Sequence, residues 1–111
     1  MAVYSDLSID QGTDFTAEVQ IDDTDGTTAN LTGYTVAGQI RKSYDSTTYT
    51  AFSASVSNAT GGTVSIALTA AQTNALASGR YVYDVEITSS GGVVTRVLEG
   101  QVEVTPGVTR A

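Results

Sequence analysis

The residues that carry most enzyme chemistry are largely missing from this 111-residue chain. It has no histidine and no cysteine, and Lys42 is its one lysine. Nucleophilic triads of the Ser-His-Asp or Cys-His kind, thiolate or imidazole metal sites and haem ligation are therefore excluded. The glycine-rich stretches "SSGG" (89–92) and "TGG" (60–62) lack the lysine and following helix of a phosphate-cradling loop. Twelve carboxylates remain, and paired carboxylates can hydrolyse glycosides. Such a pair needs a deeper cleft than a domain of this length walls off. The chain reads as a non-enzyme with no cofactor.

Two groups of residues are left as candidates for binding. The first is the acidic stretch "IDDTDGTTANLT" (21–32). With Gly26 at the invariant glycine of a calcium loop, Asp23 and Asp25 fall at its third and fifth ligand positions. Ile21 and Thr32 then occupy the first and twelfth, where the loop needs an acid and a bidentate glutamate. A looser sandwich-loop calcium site built from Asp22, Asp23 and Asp25 competes with a solvated acidic turn around Asp25-Gly26, and the end mismatches favour the turn. The second group is aromatic. Tyr44 and Tyr49 flank a loop, where their ring faces are available to stack on sugars, while Tyr34, Tyr81 and Tyr83 read as core. The Asn30-Leu31-Thr32 and Asn58-Ala59-Thr60 acceptor motifs matter only in a secretory pathway.

The elements that must position these groups are strands. Val, Ala, Ile and Thr dominate, a mixture that suits pleated, half-buried surfaces. Apolar residues alternate at Leu7 and Ile9, from Phe15 to Ile21, from Tyr34 to Lys42, at Phe52, Ala54 and Val56, and from Val64 to Leu68. The pattern resumes from Tyr81 to Thr88 and, after the "SSGG" turn, from Val93 to Thr105. Gly38 in mid-strand marks a bulge or a close backbone approach. The last segment changes parity, with Val93, Thr95 and Val97 opposed to Leu98, Val102 and Val104. A bulge near Gly100, or a change of sheet there, reconciles them. Short strands with regular turn signals describe a β-sandwich or barrel.

One stretch breaks the rhythm. "LTAAQTNALASGRYVYDVEI" (68–87) starts as a helical turn, Thr69 to Leu76, and becomes a strand after Gly79. Thr69 can cap that turn, with Gln72 as its capping-box partner. In immunoglobulin-like sandwiches a crossover of this kind leads into a strand opening on a tyrosine corner, and Tyr81 sits at the corner position. Tyr83, two residues on, falls where antibody domains carry cysteine. An ordinary connector with strand-forming tyrosines is the competing reading.

The expected fold is thus all-β: an immunoglobulin-like antiparallel β-sandwich of about seven or eight strands, with one short helical turn near 70–76. Residues 1–111 make a single domain, with a short interacting tail at 106–111. The formal net charge of −7 argues against nucleic acid and anionic membrane surfaces as partners. The N-terminus has no signal-peptide pattern, and no apolar run reaches spanning length. "GVVTRVLEGQVEVTPGVTR" (92–110) is the interaction candidate, since an extended edge can pair with another chain. Arg96, Val108 and Arg110 are its candidate interface residues, the two arginines being rare cations on an acidic molecule.

Three stretches together carry a family resemblance: "LTGYTVAGQIRKS" (31–43), "GGTVSIALTAAQTNALASGRYVYDVEITSSGG" (61–92) and "VTRVLEGQVEVTPGVTR" (94–110). The chain resembles small bacteriophage proteins encoded among head and tail genes, whose immunoglobulin-like sandwich is similar to the N-terminal domain of baseplate upper proteins. "GRYVYDVEI" joined to "VLEGQVEVTP" is the most specific part. The resemblance implies a virion structural protein of tail, neck, baseplate or capsid decoration. It implies a homo-oligomer that contacts other virion proteins within the particle. Baseplate upper proteins continue beyond this domain to hold fibres, whereas this sequence stops at Ala111. A free-standing decoration or neck module is the corresponding expectation. The alternative is a carbohydrate- or receptor-binding adhesion module of a phage or bacterial surface, working through Tyr44 and Tyr49.

Overall fold

The computed structural model describes residues 3–21 and 30–107, and these form two sheets packed face to face. The larger sheet contains β1 (Val3–Tyr4), β2 (Leu7–Asp10), β4 (Thr35–Arg41), β5 (Thr50–Ala51), β8 (Gly79–Thr88) and β9 (Val94–Thr105). Its order is β1-β9-β8-β4-β5, with β2 also paired to β9. The smaller sheet is β3 (Phe15–Gln20), β7 (Thr63–Leu68) and β6 (Ser53–Asn58), in that order. This is the two-sheet division of an immunoglobulin-like sandwich, as the alternation predicts. Val64, Ile66 and Leu68 of β7 and Tyr81, Tyr83, Val85 and Ile87 of β8 point into the core between the sheets. The predicted strand faces hold because a two-residue period assigns each side chain to one side of the pleat.

Not every strand is antiparallel. β1 and β2 run parallel to β9, with Val3 opposite Leu98 and Leu7 opposite Val102. Nearly the whole chain separates these partners, so no tight turn dictates their relative direction. The change of parity in β9 also differs in place from expectation. Val85 pairs with Leu98 and Glu86 with Arg96, which leaves Val97 as the bulged residue. Val97 and Leu98 are consequently both buried, as a bulge permits.

Gly100 has another role. A Cβ there would lie 2.2 Å from the Ser5 carbonyl oxygen. The glycine lets the junction of β1 and β2 cross close over β9. Three bonds secure that crossing: Ser5 N–H to the Glu99 carbonyl at 2.8 Å, Gln101 N–H to Asp6 Oδ1 at 3.1 Å, and the Tyr83 hydroxyl to the Ser5 carbonyl. Gly38 is the close approach anticipated, with a virtual Cβ 2.9 Å from both the Phe52 ring and the Asp84 carbonyl. The register of β4 on β8 runs unbroken past it.

The helical turn is α1 (Ala70–Ala75). Thr69 caps it, accepting from Gln72 N–H at 3.2 Å, while Gln72 Oε1 accepts from Thr69 N–H at 2.9 Å. Thr73 is fully buried and joins this crossover to the turn between β2 and β3. Its Oγ1 accepts from Gly12 N–H at 3.0 Å and lies 2.7 Å from the Thr13 carbonyl, to which it donates. Leu76 returns to the core. Tyr81 donates its hydroxyl to the Ala77 carbonyl at 2.7 Å, which is the tyrosine corner. The Lys42 ammonium sits 4.7 Å from the centre of that ring. Antibody domains tie the two sheets with a disulfide between their second and sixth principal strands. Here the corresponding strands, β3 and β8, are joined through rings. Phe15 lies 6.3 Å from Phe52, and Phe52 meets Tyr83 edge-on at 6.2 Å and 84°. Aromatic contact takes the place of the covalent tie.

Candidate functional site

The outer face of the larger sheet carries most of the charged side chains found on strands. Alternation sends Gln39 and Arg41 of β4 outward, together with Val82, Asp84 and Glu86 of β8. Pairing aligns Gln39 with Asp84, Asp84 with Glu99, and Glu99 with Tyr4, so one polar row crosses β4, β8, β9 and β1. The next row sets Ala37 beside Glu86 and Glu86 beside Arg96. Between the rows and the loop that follows β4 lies an open groove of about 350 Å³. Ala37 and Val82 contribute its apolar floor, and Tyr44 stands at its rim.

Arginines hold this surface in place. Arg96 Nε is 3.3 Å from Asp84 Oδ2, and its guanidinium is 3.9 Å from Glu99. These side chains are partly exposed, so the pairs add little stability but fix orientation. Arg41 donates to the Ser46 carbonyl and, at 2.8 Å, to Gln39 Oε1. The same guanidinium stacks 4.8 Å from the centre of the Tyr49 ring. One side chain therefore pins the middle and the far end of the loop that carries Tyr44.

Two tyrosines on the larger sheet have raised pKa values. Tyr83 is pushed up to about 12, chiefly by burial. Tyr4 is raised by local desolvation, then by the Asp6 carboxylate.

The structure separates the predicted site residues. Tyr44 and Arg96 line the same groove. Tyr44 is 77% exposed, whereas Tyr49 is occupied by Arg41 and does not line it. Arg96, expected at an interface between subunits, has acidic partners within its own chain. Tyr81 is structural. Val108, Arg110 and most of the 106–111 tail lie outside the described residues, as do Asp22, Asp23 and Asp25 of the calcium candidate. Among the described residues, no three acidic side chains group in a metal-holding arrangement. Gln39, Arg41, Asp84 and Glu86 were not among the candidates. Their outward parity is legible in the sequence, but their alignment depends on which strands are neighbours.

Two packed sheets, a capped crossover turn and a tyrosine corner define an immunoglobulin-like β-sandwich whose outer faces are available for contact. The chain belongs to the family described as LtfC-like, beta-sandwich domain, which matches residues 2–105. That family is phage-associated. No curated protein matches the chain. Among solved structures, an internalin-like protein of Listeria monocytogenes is similar, at 16% identity and a TM-score of 0.46. The match covers 96% of this chain and 28% of that one.

Proposed function

We propose that this protein is a virion structural component of a bacteriophage. It assembles through protein–protein contacts within the tail, neck, baseplate or capsid surface, in several copies and against other virion proteins. The observation that carries this reading is the edge strand β6 in a domain of a phage-associated family. β6 reads "SASVSN" and, among the described residues, pairs on one side only, with β7. It carries no charge and no proline, the devices that normally blunt an exposed edge. Its free row of backbone groups is therefore available to another strand. The tip of the β8–β9 hairpin adds exposed apolar surface, Val93 at 65% and Val94 at 57%.

Mass spectrometry of purified particles tests the proposal. The expected result is the protein at a copy number matching a symmetry of the particle; its absence from particles overturns the reading. Two variants locate the contact. Ser53→Lys with Ser55→Lys charges the β6 edge and is expected to leave the domain folded while cutting incorporation. A chain ending after Thr105 keeps all nine described strands and is expected to fold as a monomer that assembles poorly. Normal assembly of either variant removes that segment from the interface.

A further inference from the structure

The groove on the outer face of the larger sheet is required neither by the fold nor by assembly through β6. We propose that it binds a neutral saccharide unit of a surface glycan, with Gln39, Asp84 and Glu86 bonding its hydroxyls and the Tyr44 ring taking its apolar face.

Four features point to this ligand class. The first is the supply of hydrogen-bonding groups. A sugar hydroxyl both donates and accepts, so its site needs planar side chains of both kinds. Gln39 offers its amide nitrogen, because Arg41 engages only the oxygen. Among the described residues the Glu86 carboxylate makes no hydrogen bond or ion pair, although it lines the groove. Asp84 uses one oxygen for Arg96. The second is the combination of an apolar floor, Ala37 and Val82, with an exposed aromatic rim, which suits the C–H face of a pyranose ring. The third is preorganisation. Arg41 and Arg96 are committed to partners on this surface and hold the ligand-facing groups in place. Less ordering then remains to be done on binding. The fourth is size, since about 350 Å³ falls at the small end of the roughly 300–1,000 Å³ typical of small-molecule pockets.

Other ligands fit less well. Asp84 and Glu86 balance Arg41 and Arg96 in the groove lining, which suits a neutral ligand, and the net charge of −7 on the whole chain disfavours an anion. A peptide would seek unpaired backbone, but β4 and β8 are paired with each other throughout the groove floor.

The inference stands apart from the virion proposal, because incorporation into particles and sugar binding by the isolated domain are read separately. The test is a titration of isotopically labelled protein with glucose, galactose, N-acetylglucosamine and rhamnose, followed by amide chemical shifts. At least one sugar is expected to give saturable shifts confined to residues 37–46 and 82–86, with Kd on the order of 1–10 mM for a single unit. Tyr44→Ala and Glu86→Ala are each expected to abolish saturation while holding the melting temperature within about 2 °C, as for other positions outside the core. Glu18→Ala, on the opposite sheet, retains binding. The inference is overturned if no sugar saturates, if the shifts map elsewhere, or if Tyr44→Ala with Glu86→Ala still binds. Tighter binding of glucuronate than of glucose overturns the neutral class.

Discussion

Gly100→Ala is the sharpest probe of how the first strands are held. The added Cβ would stand 2.2 Å from the Ser5 carbonyl oxygen and 2.8 Å from its carbon. Ordinary contact begins near 3.4 Å, so Ser5 must retreat by about 1.2 Å, the difference between 3.4 and 2.2. Backbone stands on both sides of this contact, and no flexible side chain can absorb the change. Retreat stretches the three bonds that fix the crossing: Ser5 to Glu99, Gln101 to Asp6, and Tyr83 to Ser5. At about 0.5–1.5 kcal/mol net for each bond, with some recovered by water, the loss comes to about 2–3 kcal/mol. For a domain of this size that is a fall in melting temperature of about 8–12 °C. Calorimetry reads the fall, and ultraviolet titration gives a second signal. The Tyr83 phenol, held at about 12 chiefly by burial, is expected to move down toward 10.0 as water reaches it. A melting temperature within about 1 °C of the parent, with the Tyr83 titration unchanged, would refute the packing of Ser5 on Gly100.

Further outcomes follow from the same contacts. Tyr81→Phe deletes the corner bond to Ala77 but keeps the ring under Lys42. Ala77 is exposed, so its carbonyl regains water, and thermal denaturation should show a loss of about 1 kcal/mol. Thr73→Val preserves shape in a fully buried site while removing the acceptor of Gly12 N–H. A cost of about 1–3 kcal/mol is expected, with faster hydrogen exchange at Gly12. Tyr83 also sets an alkaline limit. Its native pKa of about 12 exceeds the 10.0 of a free phenol, so the native state holds the proton more tightly than the unfolded chain. Its contribution is intact below pH 10 and is lost as pH rises through 12. Denaturant melts across that window should show a smaller decline in Tyr83→Phe.

Much of the sandwich is readable residue by residue. The face of each strand follows from alternation, as at Tyr81, Tyr83, Val85 and Ile87, because the pleat allows no other assignment once one face is buried. The helical turn is equally legible, since Thr69 and Gln72 are three residues apart and satisfy each other locally. The candidate site is less so. Tyr44 and Arg96 are recognisable as unusual residues, yet Glu86 and Gln39 look like any outward polar positions until their strands are placed side by side. Tyr49 looks equivalent to Tyr44 in sequence. Its difference arises when Arg41 reaches it from β4.

The sequence by itself determined the class of fold, the capped crossover, the tyrosine corner and the lack of histidine, cysteine and most cationic chemistry. These depend on composition or on residues within a few positions of one another. Tertiary structure decided the parallel pairing of β1 and β2 with β9, the bulge at Val97 and the crossing of Ser5 over Gly100. It also assembled the groove from separate strands. Apart from the hairpin bulge, these join residues tens of positions apart, and a two-residue period says which side a residue faces without saying which strand lies next to it.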